Sequence, residues 1–352
     1  MRQLASIRLR GYLAGVLIVL ASAVAVPALA AGPSHYHLIK TVTLGGTSFW
    51  DYMALDPLTD HLYITRGDHV TVVSGRTGAP VGEIGGLKEI HGVAFAGSRG
   101  YISDGGANDV VVFDRRTLRK LGKIPAGPGP DNILYDPYSH RVFAFDGHDT
   151  EATAIDVRTG QAVGTVALGG RPEAAASDDH GSIFVNIEDK SEIAEFNSKT
   201  LAVERRWPLA PCAHPSGIAI DAAHHRLFSG CRNAVLAVSN TQAGRVITTV
   251  PIGQGVDSNR FDPRDGLIFS SNGRSGNLTV IKEVTPNEYH VVRNVPTALG
   301  ARTMELDPRT GRVYLVTAKL IFPKQTPAPT AKRRFPRPTI VPHSFELLIF
   351  AR

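Results

Sequence analysis

The amino-acid sequence predicts an all-β protein, a seven-bladed β-propeller with four-stranded antiparallel blades. Three observations predict it: one phrase recurs seven times at a nearly constant interval, each complete copy contains four short apolar or alternating segments, and segments near the two ends complement each other as strands of one blade. The chain has 352 residues, 43% hydrophobic and 20% charged, which fits a globular protein with a large core.

The recurring phrase combines a tight turn with a strand that contains an aromatic residue, as in DPRTGRVYLVTA at Asp307. Asp-Pro favours the turn because proline presets φ and the aspartate oxygen accepts backbone N–H groups. A period of about 40 residues built from short strands is typical of propeller blades, which must stack to bury their faces. The seven turn positions, at intervals of 40, 40, 42, 43, 41 and 45 residues, are Asp56, Ala96, Asp136, Asp178, Asp221, Asp262 and Asp307.

The last copy is interrupted and lacks its outer strand. A basic, proline-rich insertion at 319–343 separates its second strand from the final segment SFELLIFAR. The segment HLIKTVTLGG (His37–Gly46) resembles the outer strands of the other copies. We therefore expect this N-terminal strand to pair with the C-terminal strand Ser344–Arg352, because such closure leaves no long free sheet edge.

One tetrapeptide position of the repeat carries a family resemblance. The seven copies read YITR, YISD, FAFD, FVNI, FSGC, FSSN and YLVT. They resemble the name-giving tetrapeptide of YVTN-repeat β-propellers, and the periplasmic YncE-type members are the most similar. The resemblance covers nearly all of the chain after residue 30 and implies a propeller fold and export. It implies no particular reaction, since the family has no common established activity.

Residues 1–30 are predicted to be a secretory signal peptide. Three arginines precede the apolar run GYLAGVLIVLASAVAV, and small residues follow it. An uncleaved anchor is the alternative, but the run is short of the ~20 residues that span a bilayer. Residues 31–352 would then be a single propeller domain, periplasmic or secreted, without a transmembrane segment. The nine positive charges of the leader and the insertion exceed the net charge of +6, so the remainder is mildly acidic.

A polar ring is predicted at one mouth of the central channel. The first strand of each blade lines the channel, so the residue at its entry faces the mouth. These entry residues, five before each turn position, are Asp51, His91, Asp131, Glu173, Ser216, Asp257 and Arg302. Second-strand exits and adjoining positions are expected to add Arg66, Asp104, Asp146, Glu188, His214 and Asn272. The ring either binds a ligand or is structural, with ordered water and internal ion pairs satisfying its polar groups.

The same carboxylates suggest a second hypothesis, a divalent-metal-dependent hydrolase or lyase. Repulsion among them would be relieved by a hard cation such as calcium, and the candidate ligands are Glu173, Glu188, Asp131 and Asp257. This arrangement resembles calcium-dependent propeller lactonases, whose metal lies at the channel mouth. His91 would be the general base by its ordinary pKa. A Ser216–His214 nucleophile pair is weaker, because no third orienting group accompanies it.

Cys212 and Cys231 are the only cysteines, and the repeat places them on neighbouring antiparallel strands of blade five. In an exported protein this predicts a disulfide in preference to free or metal-binding thiols.

The insertion supports a third hypothesis, in which it binds a polyanion such as nucleic acid or an envelope polymer. Its basic residues are Lys319, Lys324, Lys332, Arg333, Arg334 and Arg337. A merely solubilising role is the alternative. The leading hypothesis remains a monomeric binding module that takes a small molecule or an envelope partner at its mouth; haem is unsupported, because no C-x-x-C-H motif occurs.

Overall fold

The structure is a computed structural model that describes residues 35–322 and 338–352. The predicted leader, residues 1–30, and most of the basic insertion lie outside the described residues. Within them no helix is long and apolar enough to cross a membrane.

Seven four-stranded antiparallel sheets form the blades, and a short two-stranded sheet accompanies them. Blade one is β2 (Met53–Leu55), β3 (His61–Thr65), β4 (Val70–Ser74) and β5 (Pro80–Ile84), and blade two is β6 (Ile90–Ala96), β7 (Arg99–Asp104), β8 (Asp109–Asp114) and β9 (Lys120–Pro125). Blade three is β10 (Pro130–Asp136), β11 (Arg141–Asp146), β12 (Glu151–Asp156) and β13 (Gln161–Ala167), and blade four is β14 (Pro172–Ser177), β15 (Ser182–Ile187), β16 (Glu192–Asn197) and β17 (Val203–Pro208). Blade five is β18 (Pro215–Asp221), β19 (Arg226–Cys231), β20 (Val235–Asn240) and β21 (Arg245–Pro251), and blade six is β22 (Val256–Asp262), β23 (Leu267–Asn272), β24 (Asn277–Thr285) and β25 (Glu288–Pro296). Blade seven consists of β26 (Met304–Asp307), β27 (Arg312–Thr317), β30 (Glu346–Ala351) and β1 (His37–Thr43), and the small sheet of β28 (Leu320–Ile321) and β29 (Thr339–Ile340). The predicted fold class is confirmed.

The first strands of neighbouring blades contact one another around the whole ring, and β26 contacts β2 to complete it. Blade seven is closed as predicted, since β1 pairs antiparallel with β30 from His37 opposite Ala351 to Thr43 opposite Glu346. The insertion follows β27, and its two ends form the small sheet β28–β29.

The core lies between the blades. The aromatic residue of every tetrapeptide is at most 2% exposed, and packs against apolar side chains of its own and the neighbouring blade. The turn aspartates act as the sequence predicts: Asp56 Oδ1 accepts the Leu58 N–H at 2.8 Å, and Asp307 Oδ1 accepts the Arg309 N–H at 3.0 Å. These bonds satisfy the turn backbone at the end of the channel away from the entry residues.

The predicted disulfide between Cys212 and Cys231 is present, with the two Cα atoms 5.6 Å apart and a sequence separation of 19. It ties the loop before β18 to the end of β19. Both side chains are at most 2% exposed.

Replacing both cysteines with serine is expected to lower the free energy of unfolding by about 3 kcal/mol, because the disulfide restricts the unfolded chain. Urea denaturation with and without reductant measures it. Reductant should destabilise the wild type and leave the double variant unchanged. Equal urea midpoints for the oxidised wild type and the variant would contradict the expectation.

Candidate ligand site at the channel mouth

Five of the seven entry residues lie in β-bulges of the first strands. The pairing of β6 with β7 skips from Ile90 to Val93, which leaves His91 outside the regular ladder. The next four blades have the same irregularity, at Asp131, Glu173, Ser216 and Asp257. A bulge bends its strand and re-aims the side chain at that point. The backbone therefore singles out these positions, although the repeat alone predicts only ordinary strand starts.

His91 is the centre of one half of the mouth ring. Its Nδ1 lies 2.8 Å from Asp51 Oδ2 and 3.7 Å from Asp131 Oδ1. Asp51 also lies 3.9 Å from the guanidinium of Arg302, through its other oxygen. Blades seven, one, two and three are therefore joined by side-chain charges at the mouth.

Asp257 continues the ring from Arg302. Arg302 Nε donates to Asp257 Oδ2 at 2.6 Å, and Ser216 Oγ lies 2.9 Å from Asp257 Oδ1 and 3.1 Å from Glu173 Oε1. Asp131 and Glu173 are neighbours in the ring, yet no hydrogen bond or ion pair between described residues joins them. The ring is thus a chain of contacts that is open between blades three and four.

Polar side chains of the second strands hold the entry residues by their backbone carbonyls. Thr65 Oγ1 donates to the carbonyl of His91 at 2.9 Å, and Ser103 Oγ donates to that of Asp131 at 2.5 Å. Asn186 and Ser271 hold Ser216 and Arg302 in the same way. Each acceptor belongs to the next blade. These donors occupy the third position of the tetrapeptide. A hydroxyl or amide side chain at that position of an otherwise apolar strand is a signal that the sequence prediction missed.

A cavity of about 700 Å³ lies above the ring. Asp51, Asp131, Glu173, Asp257 and Arg302 line it together with Tyr52, while its remaining wall includes Arg232, Arg274, Leu299, Leu320, Phe322 and Pro338. The last three residues belong to the described ends of the insertion. The cavity therefore combines a polar base with a partly apolar rim.

Tyr52, like Asp257, lines both this cavity and a second one of about 220 Å³ within the channel. Its hydroxyl reaches from blade one to blade four and donates to the Glu173 carbonyl at 3.3 Å. Burial raises its pKa well above the ordinary value, and nearby carboxylates, Asp131 first among them, add to this. The phenol is therefore neutral and acts as a hydrogen-bond donor.

The environment of His91 changes the role that its ordinary pKa suggests. Burial by itself would lower the pKa, but the hydrogen bond to Asp51 and the charges of Asp131 and Asp51 outweigh it and raise the pKa to about 9. At neutral pH the imidazole is protonated and cannot accept a proton. The raised pKa therefore opposes a role of His91 as a general base at neutral pH, and that role stays a prediction.

Asp131 and Glu173 hold protons more tightly than ordinary carboxyls. Burial and the charges of Asp51 and Asp257 outweigh the attraction of His91 and raise the Asp131 pKa to about 7. Burial also raises the pKa of Glu173, and the charges of Glu188, Asp131 and Asp257 raise it further. The side chain of Asp131 is 28% exposed, but that exposure is into the concave mouth. The open sector of the ring therefore carries carboxyls without a full counter-charge.

The six other predicted binding residues do not line the mouth cavity. They are buried nearby or bound to local partners: Arg66 donates to the carbonyls of Gly45 and Ser48, Asp104 accepts the Lys88 N–H, Asp146 accepts the Thr153 hydroxyl, Glu188 pairs with Arg171 and Arg232, Asn272 bonds to Asn277 and Thr279, and the His214 N–H donates to Ser191. Ser216 meets two carboxylates, and its hydroxyl makes no hydrogen bond to His214.

The four predicted metal ligands do not converge as a group. In the described part of the chain, the sets of three or more ligand atoms lying within 4.8 Å of one another are Asp51–His91–Asp131 and Asp221–His224–Glu283. In the first set the Arg302 guanidinium lies 3.9 Å from Asp51, so a cation already neighbours that carboxylate. Calcium prefers six to eight oxygen ligands, whereas the ring's own cations already occupy Asp51 and Asp257. The cations of the ring therefore compete with a metal ion for these two carboxylates.

The melting temperature is expected to fall as pH rises through the pKa values of Asp131 and His91. The pKa of His91 is raised above its unfolded value, so its contribution is complete below about pH 6.5 and is lost as pH rises through about 9. The raised pKa of Asp131 acts in the same direction between about pH 4 and 7. We expect the Tm to drop by roughly 5 °C from pH 6.5 to 9.5 because of His91. His91→Gln should flatten this decline, whereas the exposed control His290→Gln should keep it; identical slopes in all three proteins would contradict the assignment.

Comparisons with known proteins agree with the fold. No model of a protein family matches the chain. The uncharacterised protein YncE of Salmonella typhi is 31% identical over 97 residues, which are 27% of each chain, so the chain matches about a quarter of that relative's length. The chain is similar to solved structures of hydrazine synthase from Kuenenia stuttgartiensis (13% identity, TM-score 0.68, covering 76% of this chain and 92% of that one), U3-55K (10%, 0.71, 90% and 99%) and a mitotic checkpoint complex (14%, 0.69, 86% and 95%). What these structures share with this chain is the β-propeller fold.

Proposed function

We propose that this chain is an exported, YncE-type binding propeller that takes a small organic cation at its channel mouth. The observation that carries the proposal is the open sector of the mouth ring, where Asp131 and Glu173 face the cavity without a full cationic partner. An ammonium group there would donate hydrogen bonds to the two carboxylates. It would also supply the counter-charge that the sector lacks.

The rim suits the remainder of such a ligand. Phe322 and Leu299 are 63% and 65% exposed, and both line the mouth cavity with Pro338. Exposed apolar side chains beside a polar base are common in small-molecule sites, because the apolar wall supplies affinity and the polar groups supply orientation. A ligand with an ammonium group and an aromatic or aliphatic body matches both parts.

Export is the second part of the proposal. The disulfide supports it, because such bonds persist in oxidising compartments. The similarity to YncE over 97 residues and the leader-like sequence of residues 1–30 are consistent with it. The polyanion hypothesis depends on basic residues most of which lie outside the described residues, and no described contact favours it.

The binding proposal is tested by calorimetric titration with phenethylamine, phenethyl alcohol and 3-phenylpropionate, which share a ring and differ in charge. The amine should bind most tightly. Glu173→Gln and Asp131→Asn should each weaken it at least tenfold, since each removes an acceptor charge. Glu204→Gln, on the exposed face of β17 in the same blade as Glu173, is the matched control and should leave affinity unchanged.

The pH dependence gives an independent check. A proton and the ammonium group compete for the Asp131 carboxylate, whose pKa is about 7. Below pH 7 the amine affinity should fall by about tenfold per pH unit for one displaced proton. Equal binding of all three probes, tighter binding of the carboxylate, or unchanged amine affinity in both mouth variants would refute the proposed ligand class.

A further inference from the structure

A second cluster of chemically active side chains lies at the other end of β18. Ser216 near the start of this strand faces the mouth, whereas Asp221 ends the strand and begins the turn to β19. His224 follows in that turn, and Glu283 lies on β24 of the next blade. Their potential ligand atoms all lie within 4.8 Å of one another. The cluster is thus separate from the mouth site and joins blades five and six.

An extended hairpin of blade six builds this site. Strands β24 and β25 have nine residues each, whereas the third and fourth strands of the other blades have five to seven. Arg226 of blade five holds the hairpin tip, since its guanidinium donates to the carbonyl of Pro286 and, at 2.9 Å, to Asn287 Oδ1. The added length places Glu283 beside the turn of the neighbouring blade.

The two carboxylates are buried beside each other. Asp221 and Glu283 are 4% and 8% exposed, while the side chain of His224 is 57% exposed. His224 Nδ1 lies 2.5 Å from Asp221 Oδ2, and the Tyr289 hydroxyl donates to Glu283 Oε1 at 3.1 Å. No described residue donates a hydrogen bond to Glu283 Oε2. The second oxygen of Glu283 is therefore available to a further partner.

Three other blades neutralise the equivalent aspartate with arginine, whereas Asp136 of blade three accepts hydrogen bonds from the hydroxyls of Ser139 and Ser177. Asp262 pairs with Arg264 and Asp307 with Arg309, in each case two residues later, and Asp56 pairs with Arg115. In blade five the residue two positions after Asp221 is Ala223. The nearby guanidinium of Arg226 donates to carbonyl and amide oxygens instead. Among the described residues, Asp221 and Glu283 therefore have no ion pair with an arginine.

We propose that Asp221, His224 and Glu283 bind a divalent metal ion of the zinc class on the face opposite the mouth. One imidazole nitrogen and two carboxylate oxygens are a ligand set that zinc accepts, with a fourth position left for water. The metal would replace the proton between His224 and Asp221 and would occupy the free oxygen of Glu283. Tyr289 would orient the Glu283 carboxylate from outside the ligand set. The exposed ring of His224 gives access from solvent.

The test is calorimetric titration of untagged, chelator-treated protein with zinc chloride. One equivalent should bind, and His224→Gln and Glu283→Gln should each weaken binding at least tenfold. His225→Gln is the matched control, because it removes an exposed histidine from the same turn and leaves the proposed ligands intact. Cobalt(II) absorption gives a second readout: wild type and His225→Gln should show ligand-field bands, and His224→Gln should lose them.

The alternatives give distinguishable results. Absence of stoichiometric binding to the wild type, or equal losses in His224→Gln and His225→Gln, would overturn the proposal. Loss of binding in His91→Gln alone would place the metal at the mouth and would also overturn it. Calcium binding that is stronger than zinc binding and indifferent to His224→Gln would indicate an oxygen-only site and contradict the zinc class. Should Glu283→Gln fail to fold, the exposed His224 variant still decides the matter.

Discussion

Replacing Tyr36 with alanine is expected to lower the free energy of unfolding by about 3–5 kcal/mol, as for other large buried aromatic residues. Tyr36 directly precedes β1 and is completely buried. Its ring packs edge-to-face against Phe269 at 5.0 Å, and its hydroxyl donates to the Gly311 carbonyl at 2.8 Å. The side chain therefore attaches the closing strand to the interface of blades six and seven. Alanine would leave a cavity there and weaken the attachment of β1.

Urea denaturation of three variants tests this role. Tyr36→Phe keeps the ring and loses only the hydroxyl bond, so a loss of about 1 kcal/mol is expected. Leu38→Ala, on the exposed outer strand, should change stability by no more than about 0.5 kcal/mol. A Tyr36→Ala protein within 1 kcal/mol of the wild type would show that ring closure does not depend on this anchor.

Replacing Arg115 with methionine is expected to destabilise the protein by a similar amount, about 3–5 kcal/mol, because it leaves a buried carboxylate without its partner. Asp56 is fully buried, and the Arg115 side chain is 7% exposed. Arg115 Nε donates to Asp56 Oδ2 at 2.9 Å, and its Nη2 donates to the other oxygen. Burial would raise the pKa of Asp56, but the hydrogen bonds from Arg115, Leu58 and Thr59 outweigh it and hold the pKa below its ordinary value.

The double variant Asp56→Asn/Arg115→Met separates charge from packing. Asparagine keeps an oxygen for the turn backbone, so the double variant should recover most of the lost stability. Lowering the pH should also rescue Arg115→Met, because without arginine the buried Asp56 carboxyl binds a proton more readily. Arg115→Met could also lose as much stability relative to the wild type at pH 4.5 as at pH 7.5, with no recovery in the double variant. That result would show that the broken ion pair is not the cause of the destabilisation.

The blade architecture was predictable because each blade repeats the same short sequence pattern. The Asp-Pro turns, the aromatic tetrapeptides and the spacing of about 42 residues all reflect short-range geometry and burial. The complementary segments at His37–Gly46 and Ser344–Arg352 followed from the same repeat, since one copy lacked an outer strand. The cysteine pairing followed from strand order. These predictions needed only the register of one blade.

The details of the mouth needed information that the repeat does not hold. All seven entry positions came from counting, but the bulges that contain five of them were not predicted, because a bulge leaves no fixed residue type. Arg66 and Asp104 were misplaced because one residue along a strand changes which side the side chain faces. The hydroxyls of Thr65 and Ser103 carry the cross-blade bonds instead.

Contacts between repeats were the hardest to predict. The pairing of Asp56 with Arg115 joins positions in different strands of different blades, so no short pattern marks it. The Asp221–His224–Glu283 cluster depends on the extra length of β24 and β25. The apolar rim at Leu320, Phe322 and Pro338 depends on how the ends of the insertion fold back.

The pairing of β1 with β30 has a consequence for how the molecule is made. Among the strands described, a ribosome produces β1 (His37–Thr43) first and β30 (Glu346–Ala351) last. Until residues 346–351 emerge, β1 lacks the strand with which it pairs, and the other six blades cannot close into a ring. The ring can therefore close only after every other strand of the propeller has been made.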